Sequence, residues 1–219
     1  MYVLNTDETN IQPTKEGKFF IYGGLIVDAE KIPVINDKVG EIRNSAGYKE
    51  SDILKFDTHL RPGHISKEKF DDAKREVLEL CVATGSKFIA YLIHHNIVNE
   101  KIKFESALNH LTSGFNKFLQ GKGSWGICVY DRMPQIDSQF KLIKDNFSEG
   151  LRFKDEKRIQ LERIKLHAVS CLGASHLGSA TDIVLGSFRY CINNPKSLRV
   201  AKFMIKRISD MVWGDRDKD

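Results

Sequence analysis

Residues 1–10 read MYVLNTDETN. Tyr2, Val3 and Leu4 make a short apolar run, and Asp7 and Glu8 close it with two adjacent acids. An acidic pair at a strand end either solvates a loop or is the first anchor of a cation. The difference is whether other carboxylates arrive at the same place from elsewhere in the chain. A lone Asp at a strand end is ordinarily a turn former. Side chains of adjacent strand residues point to opposite faces, so Glu8 is either a second acid of this cluster or a cap on the following loop.

The segments downstream set the frame for that question. FFIYGGLIV (residues 19–27), FIAYLI (88–93), WGICVY (125–130) and IKLHAV (164–169) read as strands, and the nearly continuous apolar ones suit a sheet covered on both faces. The paired glycines of GGLIV fit close packing in a strand. They are not a phosphate loop, since no GxGxxG or GK[ST] pattern follows.

Helices are marked by apolar residues three and four apart. Ile32, Ile35, Val39 and Ile42 mark one over 30–43. Phe70, Ala73, Val77 and Leu80 mark another over 66–82, with Ser66 at the N-cap position and Glu68 in the first turn. Phe104, Leu108, Leu111, Phe115 and Phe118 mark a third over 101–119, stopped by Gly121 and Gly123. A helix over about 179–192 ends at Asn193, Asn194 and Pro195, and a basic one follows over about 196–213. One more helix is expected between WGICVY and IKLHAV. The order is β, β, α, an irregular segment, α, β, α, β, α, β, α, α. That predicts an α/β chain with a mixed sheet, its first two strands an antiparallel hairpin and its helix-joined strands parallel.

The 219 residues fit a single domain, 1–219, with an irregular insertion at about 44–64 that reads as too polar for core. Connections of that length are often functional. Hydrophobic residues at 41% and charged ones at 29% exclude a disordered chain. No apolar run approaches the ~18 residues needed to span a bilayer, and no basic-then-apolar leader opens the sequence. The expectation is a cytoplasmic protein without a membrane partner. Cys81, Cys128, Cys171 and Cys191 have no CxxC spacing and read as buried free thiols. The net charge of +5 is uneven: residues 151–219 hold 14 Lys and Arg against 8 Asp and Glu. A basic third suits a polyanionic partner or a solvated helix face equally.

Ligand sites in open α/β sheets form beyond the carboxyl ends of parallel strands. Asp7 and Glu8 end the first strand, and Asp131 follows WGICVY directly. Asp182 sits on a helix otherwise made of small and apolar residues, where an acid is costly to bury unpaired. Converging carboxylates repel and need a cation, and hard oxygen donors select Mg2+ or Mn2+. Such ions support phosphodiester cleavage.

These motifs carry a resemblance. TDETN resembles the DESG-type motif of the domain-of-unknown-function family numbered 3800, and FFIYGGLIV resembles its FVLGGLIV-type strand. VYDRMP matches its strand-end Asp, and LGSATDIVLGSFRY is similar to its LQLADLVAGAL-type helix, which sets Asp182 on the motif's Asp. The similarity spans nearly the whole chain and implies a ribonuclease H-like fold, a mixed sheet with flanking helices. It implies Asp7, Asp131 and Asp182 as metal ligands and catalytic residues, with Glu8 as the adjacent acid. Asn10 stands where the family has Gly, and Ala180 and Thr181 where it has Gln-Leu. SDILKF is the nearest match to an acidic-x-Lys element, adding Asp52 and, as a substrate contact, Lys55.

Among histidines, His176 lies in the Gly/Ser turn before the Asp182 helix and is the candidate proton shuttle. His94 and His95 read as surface residues, His167 as a core histidine, and His59 and His64 carry no reading. Arg199, Lys202 and Lys206 form a stripe on the last helix that either tracks phosphates or is an ordinary polar face. Together these features point to a divalent-metal-dependent nuclease or phosphodiester hydrolase acting on nucleic acid. The alternative is a non-catalytic ribonuclease H-like module that binds nucleic acid or serves as a defence-associated partner.

Overall fold

The computed structural model describes residues 1–9, 18–96, 100–133, 136–153, 158–171, 173, 175–194 and 211. The apolar start of the chain and the FFIYGGLIV segment form β1 (Tyr2–Thr9) and β2 (Phe19–Asp28). They pair antiparallel from Tyr2 opposite Asp28 to Thr9 opposite Ile21. A single 3-10 turn leads into α1 (Ile32–Ala46), which ends where Gly47 adopts φ 93°. Next come α2 (Lys67–Ala83), capped by the Ser66 hydroxyl accepting from the Lys69 N–H, and β3 (Lys87–His94). They are followed by α3 (Glu100–Gly121), β4 (Gly126–Asp131) and α4 (Ile136–Glu149). Two short strands, β5 (Leu151–Arg152) and β6 (Arg158–Ile159), pair with each other. The last elements are β7 (Ile164–Ser170) and α5 (His176–Asn193).

The main sheet has the order β3-β2-β1-β4-β7. β2 runs antiparallel to both β1 and β3, whereas β4 is parallel to β1 and to β7. In this sheet β1, β3, β4 and β7 therefore share one direction. The helix-joined strands are parallel in direction, as expected, although the hydrogen-bonded neighbour of β3 is the opposed β2. A mixed sheet of this order, with the first strand central and helices on both faces, is a ribonuclease H-like α/β architecture.

Period-two alternation divides the core in two. Ile21, Leu25 and Val27 of β2 pack with α1, α2 and α5. Phe20, Tyr22 and Ile26 pack on the other face with α3, together with Leu4 of β1 and Cys128 and Tyr130 of β4. Because β2 is buried on both sides, its sequence reads as one apolar run rather than an alternating one.

Several expectations shift. The unplaced helix is α4, and α5 begins three residues earlier than its apolar stretch, because Ser175 caps it by accepting from the Gly178 N–H at 3.3 Å. The β5–β6 pair was not foreseen, since two-residue strands carry no periodicity. The 44–64 segment is not wholly outside the core: Tyr48 and Leu54 are buried in it, and Thr58–Leu60 forms a 3-10 turn. The Thr9–Lys18 connection lies largely outside the described residues, as does the basic last helix apart from Met211, which is buried. Arg199, Lys202 and Lys206 fall outside them. Among the described residues no helix is long and apolar enough to cross a membrane.

Candidate metal centre

The register of the two central strands decides the site. β1 pairs with β4 from Tyr2 beside Gly126 to Asn5 beside Val129. Two residues further on, Asp7 stands level with Asp131. Odd residues of β1 face α5: the Asn5 side-chain amide donates to Thr181 Oγ1 at 2.9 Å. Even residues face α3: Thr6 Oγ1 lies 2.9 Å from the Tyr22 hydroxyl oxygen. Asp7 thus faces α5, and Asp131 follows by alternation from Cys128 and Tyr130, which face α3.

Glu8 falls on the opposite side by the same count. Even so, one carboxylate oxygen each from Asp7, Glu8 and Asp131 lies within 4.8 Å of the other two. The pairing of β1 with β4 stops at Asn5. Beyond that point the longer Glu8 side chain can fold round the flank of the strand. Side-chain length outweighs alternation here.

The electrostatics are those of acids forced together. Burial raises the Asp7 carboxyl well above its ordinary range, and Asp182, Glu8 and Asp131 raise it further. The Glu8 N–H, donating to Asp7 Oδ1 at 2.8 Å, works in the other direction. Glu8 is pushed up to about 7, first by burial and then by Asp131, with Lys55 opposing. Glu8 Oε2 is buried with no hydrogen-bond partner among the described residues. A donor set made only of carboxylate oxygens, one of them buried and unsatisfied, fits a hard divalent cation.

Asp182 reaches this end of the sheet from α5 and is not one of the three clustered acids. Its Oδ2 accepts the Phe56 N–H at 2.5 Å. Burial raises its pKa, while the Phe56 hydrogen bond, Lys55 and Arg189 pull it down. Gly186, one turn along α5, makes this contact possible: a Cβ there would stand 2.2 Å from Phe56 Cγ. Lys74 Nζ lies 4.9 Å and the Arg189 guanidinium 5.8 Å from the Phe56 ring. Arg189 also donates to Thr9 Oγ1 at 2.8 Å. The contacts Asn5–Thr181 and Thr9–Arg189 hold α5 alongside β1, with Asp182 between them.

The other predicted residues are placed as follows. Lys55 precedes Phe56 and its charge is felt by both Glu8 and Asp182. The His176 ring lies against α1, with Nδ1 3.5 Å from the Arg43 guanidinium. Nε2 would be 3.3 Å from a Cβ on Gly40. Burial and Arg43 lower its pKa, so the ring is neutral near pH 7. Asp52 pairs with His64 Nε2 at 3.2 Å. His94 rests edge-on against Phe19, and His95 Nδ1 is 3.1 Å from Lys103 Nζ. His167 stacks on Tyr130, whose hydroxyl oxygen lies 2.7 Å from its Nδ1, and burial pulls its pKa down to about 4. Cys81 and Cys128 are buried, but Cys171 is exposed, because it lies just past the end of β7.

Sequence reasoning missed the roles of Gly186 and Phe56, since nothing in a helical glycine tells which ring will fill its space. It also missed a cleft of about 250 Å³ beside Asp131. Asn5, Ile127, Val129, Ser170, Leu177 and Gly178 are among its walls.

The raised carboxyls make stability depend on pH. An acid whose folded pKa exceeds its unfolded value binds more protons in the folded state, so stability falls as pH rises between the two values. For Glu8 the loss begins near 4.5 and is complete above about 7, and Asp7 adds to it in the same direction. Thermal melts without metal should therefore show a midpoint falling from pH 5 to pH 8. Glu8→Gln removes part of this penalty and is expected to stabilise the metal-free protein by about 1–2 kcal/mol at pH 8, and to leave it unchanged at pH 4. A variant no more stable than wild type at pH 8 would show that Glu8 carries no such strain.

No family model matches the chain, and no curated protein matches it. Solved structures similar to it include two of Bst-RNase HIII. Bst-RNase HIII in complex with Mn2+ aligns with a TM-score of 0.41 and 10% identity, covering 96% of this chain and 69% of that one. A mutant protein of Bst-RNase HIII gives 0.39 and 9%, covering 95% and 69%. Neither similarity assigns a role to a residue here, and the site stands on its own carboxylates.

Proposed function

We propose that this chain is a divalent-metal-dependent hydrolase of nucleic-acid phosphodiesters, built on the ribonuclease H-like sheet and related to the family numbered 3800. The observation that carries the proposal is the gathering of Asp7, Glu8 and Asp131 oxygens within 4.8 Å of one another at the carboxyl ends of β1 and β4. Acids that raise one another's pKa in a buried setting are poised to hold a cation rather than to make ion pairs.

Asp7, Glu8 and Asp131 would hold Mg2+ or Mn2+, with Asp182 contributing negative charge beside Asp7. A divalent ion bound there supplies Lewis acidity to a phosphoryl oxygen and lowers the pKa of water. The chain's own groups do the rest. Phe56 fixes the orientation of the Asp182 carboxylate. Lys55 and Arg189 bring positive charge to the same edge and offset part of the repulsion that the acids would exert on a phosphate. The basic balance of residues 151–219 favours approach of a polyanion.

The direct test is incubation of labelled RNA, DNA and RNA–DNA hybrid strands with the protein in Mg2+, in Mn2+ and in EDTA. Cleavage of at least one substrate in metal and of none in EDTA is expected. Calorimetry with Mn2+ should show binding tighter than millimolar, with proton release at pH 6 from the raised carboxyls. Absence of both cleavage and metal binding would leave only the fold.

A further inference from the structure

The face of β4 and β7 on the α5 side continues away from the acids as an open shelf. Ile127 pairs with Leu166, Val129 with Ala168 and Asp131 with Ser170. Ile127, Val129 and Ala168 are half-exposed and Leu166 is 52% exposed. The pairs thus form a stripe that runs from apolar at one end to acidic at the other. The cleft beside Asp131 lies over its upper part.

The far end of the stripe carries charge of the opposite sign. Trp125, just before β4, has the parity of Ile127 and is 46% exposed. The register steps from Gly126 beside Ile164 to Ile127 beside Leu166, which leaves Lys165 as an extra residue. Such a bulge re-aims a side chain. Here Lys165 Nζ stands 3.9 Å from the centroid of the Trp125 ring, and the Arg163 guanidinium 4.7 Å from it. Lys165 also donates to the Glu162 carbonyl at 2.9 Å. Neither cation makes an ion pair among the described residues. An aromatic plate holding two uncompensated cations, joined by an apolar stripe to an acid cluster, has the parts of a single-strand binding groove.

We propose that this shelf is a track for one nucleic-acid strand, with Arg163 and Lys165 gripping phosphates at one end and the strand leading over Ile127 and Val129 to the acids at the other. The track deepens the hydrolase proposal, but strand binding can be read without cleavage. Six residues of β4 span roughly 16 Å, so an oligonucleotide must be several residues long to touch both ends. Polypeptide addition along β7 is the competing occupant, and it would not depend on the two cations through salt.

The test is fluorescence anisotropy in EDTA, where no cleavage occurs, with labelled oligo(dT) and oligo(U) of about 12 nucleotides. The double substitution Arg163→Ala with Lys165→Ala should weaken binding about tenfold and lower the salt slope by about 1.4, since each phosphate contact in a single strand contributes about 0.7. Leu166→Glu, which places a like charge on the shelf, should weaken binding without deleting a cation. Oligonucleotide binding in EDTA without cleavage in Mg2+ or Mn2+ would support the track and fail the hydrolase reading, so the two failures are distinguishable. Melting curves confirm that each variant is folded. An unchanged salt slope in the double variant, or wild-type binding by Leu166→Glu, overturns the proposal. So does absence of oligonucleotide binding by the wild type.

Discussion

Replacing Asp131 by Asn should lower metal-dependent phosphodiester cleavage by at least about 100-fold while leaving the melting temperature within a few degrees of wild type. The asymmetry follows from the site. Asp131 ends β4, where it shares a pocket with two other carboxylates, and its charge raises both Asp7 and Glu8. Removing that charge relieves repulsion in the metal-free protein, so stability is not lost. The amide keeps one oxygen but not the negative charge that a hard cation requires. Calorimetry should show the affinity for Mn2+ falling together with the rate. Full turnover by the variant would remove Asp131 from the chemistry and, with it, the hydrolase proposal.

Gly186→Ala is expected to cost about 2–3 kcal/mol, the upper part of the range for overpacking. The added Cβ would meet the Phe56 ring and its own Cβ at 2.2–2.5 Å, and neither is the free end of a flexible chain. To make room, Phe56 must move away from α5, and its N–H then leaves Asp182 Oδ2. The variant should therefore lose activity beyond what its lower stability explains. Phe56→Ala in the same background removes the ring contacts but not the Cβ contact at 2.5 Å, and should recover part of the stability. It should not recover the activity, since the loop remains unpinned. Equal melting temperatures for Gly186→Ala and wild type would show that the loop yields at no cost.

Much of the architecture was legible because burial on both faces leaves continuous apolar strands, and because helices here carry clear stripes and caps such as Ser66. The short β5 and β6 were not legible, since two residues have no period. Asp7 and Asp131 could be paired in advance because strand order puts two strand ends together. Glu8 was harder: alternation argues against it, and only the end of pairing at Asn5 lets its side chain round the flank. The Phe56–Asp182 contact and the Trp125 plate depend on a loop path and a one-residue bulge, which local sequence does not encode. The buried Leu54 shows that a polar segment can still supply a core residue when it is folded back over its neighbours.

The central position of β1 has a consequence for how the chain is made. Its antiparallel partner β2 follows within twenty residues, but its parallel partner β4 leaves the ribosome more than a hundred residues later. Until then one edge of the central strand has no mate, and the nascent chain needs shielding from aggregation. The carboxylate cluster is accordingly a late product of synthesis. Pulse proteolysis of stalled chains should show protection of β1 only once residues beyond Asp131 have emerged.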